Sequence, residues 1–515
     1  FPTQQAYRTT KASLTIDPMS SGSFIDLLVI AVYISATIAI GIGSRGKQDG
    51  AKDYFTTSGG MSGSLASILV GLSIAATFFS GISFIAIPGI VFREGPSFIF
   101  ALVCLPLCWL VLRFMFLPRF LRIAGGEPYY FLEERLGASI RTQVSILYVL
   151  LRVGWMATLI YAPTLAIIEL LRVDAVWLPA IIILLGMIST LYTVIGGLRG
   201  VIVTDALQFA IIAIGIALTV AIILTRLPVP MQEVWQDLKG QDLIQLPEWR
   251  LNFSDFYSWW SILLGFGFSY LATYLADQMS LQRYLAAGTV KSANRSFLFN
   301  IFGVFVVLSL LIAVGLSLRA FYHYYPVQSI IDQPDRVFPY FVANELPTGL
   351  SGLIVAILLA ATMSSITSGI NALASVITID LWAGRIRKKS QLSQKSLLKT
   401  SRLVTMGLGV LCTLLALYVN RLGSLFEATQ AILGLFLGPI LTAVFLAMIG
   451  VRVSGKTYFL SVVIAVISGT ALMQIVANVW ATFITTSITT LICLSAFFLS
   501  WIKSKRPIVS SPDSP

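Results

Sequence analysis

Apolar stretches of membrane-crossing length recur along the whole chain, separated by short polar segments. A transmembrane helix needs roughly 20 predominantly apolar residues. By that length the pattern predicts about 13 helices and an all-α polytopic membrane protein. The predicted spans are residues 23–43, 63–91, 95–118, 140–171, 176–196, 200–225, 258–279, 297–320, 349–382, 403–420, 424–450, 457–478 and 480–502.

Composition agrees with this pattern and adds an orientation. Of the 515 residues, 57% are hydrophobic and only 11% are charged, which is far more apolar than a soluble domain. The net charge of +12 comes from Lys and Arg in the loops, so we interpret it as a topology signal and not as nucleic-acid binding. Alternating the loops puts most basic residues on one side, including "GRIRKKSQLSQKSLLKTSR" and "KSKRP". The positive-inside rule then predicts a plasma or inner membrane protein with its N-terminus outside and its C-terminus in the cytoplasm.

The residues that usually carry enzyme chemistry are scarce. All four cysteines lie within apolar runs, and the single histidine, His323, lies in a loop. The sequence shows no nucleophile–base pair, no metal cluster and no phosphate loop, since "GGLRG" lacks the strand–helix context that such a loop needs. The sequence therefore predicts that the protein is not an enzyme and implies no nucleic acid and no obligate protein partner. Residues 1–22 are predicted to form a polar tail in which Met19 is a candidate start, and 503–515 a cytoplasmic tail.

One apolar helix carries a stripe of hydroxyls, in "AATMSSITSGINALAS" at residues 360–375. Spacings of four, three and four place these side chains on one face of the helix: Ser364, Ser368, Asn371 and Ser375. An oxygen-rich face without a charge suits a small hard cation. The alternative is that the hydroxyls bond to their own helix or support helix packing.

Ionisable residues at membrane depth mark two further candidate sites. Asp205 begins an apolar helix in "GGLRGVIVTDALQ", where it is a site residue or an N-cap near the interface. Arg152 lies about eleven residues into its span, where burial costs roughly 2.5–3.5 kcal/mol. It is predicted to face an aqueous cavity or an anion, or to pair with a carboxylate such as Asp205 or Asp277.

Glycine and proline interrupt the span in residues 67–95 and permit a break there: Gly71, Gly81, Pro88 and Gly89. Unwound carbonyls at such a break can bind a cation, although membrane helices also use glycine for packing.

Together, several motifs resemble the sodium/solute symporter family over nearly the whole chain. They are "KDYFTTSGG", "GGLRGVIVTDALQ", "ADQMSLQRYLAAGTVKSANR", "AATMSSITSGINALAS" and "LGLFLGPILTAVFLAMIG". Two more, "AATFFSGISFIAIPGIVFREG" and "LIYAPTLAI", are most similar to the branch that carries iodide, monocarboxylates and vitamins. The resemblance implies a leucine-transporter-like fold of two inverted five-helix repeats, residues 63–225 and 258–450. One peripheral helix, 23–43, precedes them, and two helices in 457–502 follow.

The resemblance also implies two sodium sites, with sodium as the coupling ion. The first would lie between the interrupted span in residues 67–95, the broken helix, and the helix that carries the hydroxyl stripe in residues 360–375, the serine helix. Its ligands would come from Ala75, Phe78, Ala361, Ser364 and Ser365. The second would use Asp205, Thr367 and Ser368, with Ser364 or Ser365 near enough to share.

The implied solute site lies beside the break, and its candidate contacts come from both repeats: Thr77, Ser80, Ser83, Tyr270, Thr273 and Tyr274. Arg152 resembles an arginine with which some acid-carrying members hold a carboxylate. The implied function is therefore sodium-coupled import, by alternating access across the lipid bilayer, of a small organic anion such as a monocarboxylate. A sugar is disfavoured by "FFSGIS". The alternatives are a symporter of a neutral solute such as a sugar or an amino acid, and a membrane sensor that does not transport.

Overall fold

Every regular element in the described part of the chain is a helix. The computed structural model describes residues 21–46, 48–56, 61, 63–123, 127–171, 173–240, 243, 246–347, 349–383, 393–419 and 425–504. Most of the two predicted tails, and part of the basic segment that follows the serine helix, therefore lie outside the described residues.

Eight helices form the first half of the chain. They are α1 (Ser21–Gly43), α2 (Ala51–Thr56), α3 (Gly63–Phe78), α4 (Gly81–Glu94), α5 (Pro96–Ile123), α6 (Tyr130–Leu136), α7 (Ala138–Leu171) and α8 (Leu178–Thr225).

Eleven helices form the second half. They are α9 (Met231–Gly240), α10 (Ser261–Leu275), α11 (Gln278–Ala287), α12 (Val290–Tyr324), α13 (Gln328–Ile331), α14 (Pro334–Glu345), α15 (Leu350–Trp382), α16 (Gln394–Ala416), α17 (Leu425–Ile449), α18 (Gly455–Leu472) and α19 (Ala481–Ser504).

Ten helical runs among the described residues are long and apolar enough to cross a bilayer, and the bent pair of α3 and α4 makes eleven. The prediction of about 13 spans also divides α8 into two and counts α10, which lies within the predicted span 258–279. At 1.5 Å per residue, the 48 residues of α8 extend roughly 72 Å, more than twice the hydrocarbon thickness of about 30 Å. The helix is broken at Gly197, between the two predicted spans. The count of 13 remains a prediction.

The glycines of "GGLRG" allow α8 to approach its neighbours closely. Gly197 has a φ of +58°, a conformation that favours glycine, and a Cβ there would lie 2.9 Å from the Tyr54 ring. A Cβ on Gly200 would lie 2.8 Å from the Gly41 carbonyl oxygen in α1. This motif therefore serves helix packing and the turn in α8.

The serine helix α15 lies at the centre of the bundle. In its most apolar stretch 94% of the residues are buried, against 22% for α1 and 28% each for α5, α18 and α19. α15 packs against α8, α7, α1 and α16. Its hydroxyls are therefore shielded from lipid, and each one needs a partner within the protein or a bound ligand.

Candidate functional site

The first functional feature is the break between α3 and α4. The two helices meet at an angle of 64°, and Ser80 between them is extended, with φ −98° and ψ 167°. Gly81 is required at this point because a Cβ would lie 2.3 Å from the Thr362 hydroxyl and 2.6 Å from Pro163. The last carbonyls of a helix have no partner within it. The break therefore presents backbone oxygens to α15.

Two serines of α15 meet these oxygens. The Ser364 hydroxyl donates to the carbonyls of Ala76, at 3.3 Å, and Ala361, at 3.0 Å. The Ser365 hydroxyl donates to the carbonyl of Phe79 at 3.4 Å. Both serines are fully buried. The result is a compact group of hydroxyl and carbonyl oxygens without a formal charge, which suits a small hard cation.

Most of the predicted first sodium set meets here. The structure brings Ser364 and Ser365 to the broken helix as the resemblance implied. The contacted carbonyls belong to Ala76 and Phe79, each one residue after the predicted pair. Those predicted residues occupy the adjoining turn: Ala75 is buried, and the ring of Phe78 lies in the aromatic cluster described below.

Asp205 lies at the centre of a second buried group. Its Oδ2 accepts hydrogen bonds from Ser73 at 2.7 Å, from Ser368 at 3.1 Å and from the Arg283 guanidinium at 2.8 Å. Its Oδ1 has no hydrogen-bond partner among the described residues. Thr367, from the same predicted set, instead donates to Met363 and Ser364 carbonyls of its own helix.

Hydropathy groups Arg283 with the basic loop residues that set topology, and this assignment is wrong. Its side chain is only 1% exposed and pairs with Asp205. The error arose because α11 is too polar to be read as part of a span. The available signal was its position in "ADQMSLQRYLAAGTVKSANR", one of the motifs that carry the resemblance.

The two threonines predicted to contact the solute donate hydrogen bonds within their own helices. Thr77 donates to the Ile74 carbonyl at 2.9 Å, and Thr273 donates to the Ser269 carbonyl at 2.9 Å. The Ser83 hydroxyl accepts from the backbone N–H of Ser80 at 3.3 Å and so caps α4. Thr77, Ser80 and Ser83 at the break and Thr273 in α10 are all half-buried.

Aromatic side chains join the broken helix to α10. The Phe78 ring centroid lies 5.3 Å from that of Tyr270 and 6.0 Å from that of Tyr274, the latter nearly parallel. The buried Tyr270 hydroxyl has no hydrogen-bond partner among the described residues. This cluster places an apolar surface and a hydroxyl beside the oxygens of the first break.

Arg152 is buried at the second break, between α10 and α11. It pairs with Asp277, and its guanidinium lies 4.3 Å from the centroid of the Trp155 ring. Asp277 also accepts from the Tyr148 hydroxyl at 3.2 Å and from the backbone N–H of Met279 at 2.9 Å. The alternative that Arg152 pairs with a carboxylate is therefore confirmed. Its Nε and Nη1 atoms nevertheless have no partner among the described residues.

These features define a class of protein: a helical membrane transporter with a group of oxygens suited to a cation at a broken helix. A sequence model of the sodium:solute symporter family matches residues 54–465, so the chain belongs to that family. It is a sodium-coupled symporter and an integral multi-pass membrane protein, with sodium as the coupling ion.

Relatives within the family carry different solutes. The chain is 26% identical over 455 residues to the sodium/sialic acid symporter SiaT of Proteus mirabilis, covering 86% of this chain and 88% of that protein. It is 30% identical over 436 residues to sodium-coupled monocarboxylate transporter 1 of Mus musculus, covering 82% and 68%. It is 28% identical over 431 residues to the sodium/iodide cotransporter of Homo sapiens, covering 82% and 65%.

Solved structures share the fold. A Na+-coupled sialic acid symporter in a substrate-bound outward-open state matches with a TM-score of 0.82 at 23% identity, covering 92% of this chain and 97% of that one. A nucleobase-cation-symport-1 family transporter matches with a TM-score of 0.51 at 12% identity, covering 90% and 97%. The fold is thus of the leucine-transporter-like kind.

The Asp205–Arg283 pair yields a stability prediction. Asp205→Asn leaves a buried guanidinium unpaired, and Arg283→Gln leaves a buried carboxylate unpaired, so each variant should lose about 3–5 kcal/mol of stability. The double variant should lose clearly less than the sum, because neither charge remains. Thermal unfolding of the four purified proteins in choline buffer gives the coupling. Additive losses would contradict the ion pair.

Proposed function

We propose that the protein imports a small organic anion with one carboxylate, driven by sodium through alternating access. The contact of Ser364 and Ser365 with the carbonyls at the first break carries the proposal. We also propose that the N-terminus lies outside and the C-terminus in the cytoplasm, as the basic loops favour. The fold would comprise 13 crossings, with the inverted repeats 63–225 and 258–450. The positions of the two breaks, at the start of each repeat, support that division.

The first sodium ion is proposed to lie between the break and α15. Its ligands would be the carbonyls of Ala76, Phe79 and Ala361 and the hydroxyls of Ser364 and Ser365. The break belongs to the first proposed repeat and α15 to the second, so an ion held there favours the conformation in which the two surfaces meet. One charge moved through 100 mV releases about 2.3 kcal/mol, which corresponds to roughly fifty-fold in concentration.

A second sodium ion is proposed at Asp205 and gives a stoichiometry of two sodium ions per solute. The partnerless Oδ1 and the hydroxyl of Ser368 are the available ligands. Arg283 competes for the same carboxylate, so the ion can bind Asp205 only when the guanidinium dissociates from it. Two sodium ions and a monoanion would move net positive charge, and the membrane voltage would then drive import.

The organic anion is proposed to bind Arg152 and the aromatic cluster. The unpaired Nε and Nη1 atoms of the arginine are buried donors that suit a carboxylate. Relatives named for sialic acid and monocarboxylate transport support an acidic solute. Beside it, Phe78, Tyr270 and Tyr274 would contact the rest of the solute, with the remaining half-buried hydroxyl residues of the break: Thr77, Ser80, Ser83 and Thr273.

A neutral polar solute is the second candidate, and the Arg152–Asp277 ion pair favours it. The carboxylate of Asp277 already compensates the arginine charge. An anion must either bind the Nε and Nη1 atoms that make no hydrogen bond among the described residues or displace Asp277, whereas a neutral solute needs neither.

Ser365→Ala should weaken sodium dependence. The variant removes one cation ligand while its neighbours stay in place. A hydrogen-bond-sized loss of about 1.5 kcal/mol corresponds to roughly tenfold in the sodium concentration for half-maximal thermal stabilisation. The matched control is Thr362→Val in the same helix, because within the described part of the chain the Thr362 hydroxyl bonds only to the Leu358 carbonyl, at 2.7 Å. An equal sodium midpoint in both variants would count against the first site.

A solute panel should separate the two candidates. Purified protein is heated with small monocarboxylates, sialic acid, iodide, sugars and amino acids, each in sodium and in choline. A ligand at 100 times its dissociation constant should stabilise by about 2.7 kcal/mol. We expect a monocarboxylate to stabilise only in sodium and Arg152→Gln to abolish that effect. Stabilisation by a neutral solute alone would overturn the anion proposal and support the second candidate.

A further inference from the structure

The seam between α11 and α15 contains buried polar groups without partners. Gln282 and Asn371 are fully buried, and neither end of either amide has a hydrogen-bond partner among the described residues. The same holds for Oε1 of Gln278 and the hydroxyl of Thr378. None of these residues belongs to either proposed sodium set or to the solute site.

Two contacts fix how the helices face each other. The Arg283 guanidinium donates to the Ser368 hydroxyl at 2.5 Å, and the Gln278 amide donates to the Ser375 hydroxyl at 3.5 Å. Residue numbers rise along α11 as they fall along α15, so the helices run antiparallel at this point. Gln282 and Asn371 each lie between the two contacts along their own helix. The unpartnered amides therefore belong to one seam.

The free energy of unpaired amides indicates what the seam holds. Leaving a buried donor or acceptor unsatisfied destabilises the folded protein, and four amide atoms are involved here. Apolar side chains of similar size would fill the same space without that cost. The polar atoms are therefore suited to a transient partner from outside the protein, namely water or a hydrated cation.

The seam joins two charged groups. Its upper end is Ser368, which donates to Asp205. Beyond its other end, five residues after Ser375 on α15, lies Asp380, whose Oδ2 has no hydrogen-bond partner among the described residues and whose Oδ1 lies 2.5 Å from Nη2 of Arg141. Between Ser368 and Asp380 the helix advances roughly 18 Å. Both amides lie along this interval or directly opposite it.

Arg141 closes the lower end. The arginine is buried in α7 and also pairs with Glu133 at 2.6 Å and with Glu127 at 3.1 Å. It thereby links α7, in the first proposed repeat, to α15, in the second. Release of Asp380 from Arg141 would free a carboxylate on α15, five residues beyond Ser375, where the seam ends.

We propose that the α11–α15 seam is the route by which sodium leaves Asp205. The side-chain oxygens of Gln282 and Asn371 replace part of the hydration shell of the ion along the way. Asp380 then binds the ion once its own ion pair with Arg141 has broken. The inference rests on the proposed second sodium site. It adds a hydrated pathway, a pair of amides and a terminal ion pair to that site.

Cysteine labelling tests whether the seam admits a hydrated cation. The probe is a positively charged methanethiosulfonate reagent, added to full-length Asn371→Cys protein whose four native cysteines are buried. The matched control is Leu373→Cys, also fully buried and about 200° further around the same helix. We expect Asn371→Cys to be modified at least tenfold faster than the control. Sodium should lower its modification rate, and the additional substitution Arg141→Gln should raise it. Equal rates for the two cysteines would overturn the proposal.

The unfolding temperature separates the two interpretations. Replacing the amides with leucine should lower it if they have a purely structural role and should not lower it if their partner is transient. Gln282→Leu and Asn371→Leu should unfold at the same or a higher temperature than the native chain. Gln208→Leu should unfold at a lower one, because the Gln208 amide donates to the Tyr33 hydroxyl at 3.0 Å. Loss of stability in the seam variants equal to that of Gln208→Leu would contradict a transient partner. If sodium fails to stabilise the native chain at all, the proposed function itself fails.

Discussion

The contact between a broken backbone and a helix of hydroxyls is the constraint on which the rest of the structure depends. Carbonyls freed at the end of α3 cannot stay unpaired within a membrane, and the hydroxyls of Ser364 and Ser365 meet them. Because the break contributes carbonyl oxygens and α15 contributes hydroxyls, α15 must lie at the centre of the bundle, where both are shielded from lipid. The same arrangement gathers hydroxyl and carbonyl oxygens without a formal charge at the first break.

Charge inside the membrane follows the same logic, because each buried arginine is matched by a carboxylate from another helix. The pairs Arg152–Asp277, Arg283–Asp205 and Arg141–Asp380 join α7 to the second break, α11 to α8, and α7 to α15. All three connect the first half of the chain to the second. An isolated charge at these depths would be costly, so a rearrangement of the halves must exchange one partner for another. A sodium ion at Asp205, as proposed above, would be one such partner.

Much of this arrangement could be predicted from periodicity and hydropathy. The helix period places the hydroxyls of Ser364 and Ser368 on one stripe, and apolar length locates the spans. The period cannot specify where a helix unwinds, which explains why the contacted carbonyl is that of Ala76 and not that of Ala75. The partner of Asp205 also escaped prediction, because α11 is short and polar and only tertiary packing buries Arg283.

Hydrogen–deuterium exchange at the first break tests the central claim most directly. An ion that binds the carbonyls of Ala76 and Phe79 ties the break to α15, so backbone amides in peptides that span residues 72–84 should open less often. In sodium we expect their exchange to slow at least tenfold relative to choline, while a peptide of peripheral α18 exchanges equally in both. Identical exchange at the break in the two salts would contradict a sodium ion at this site.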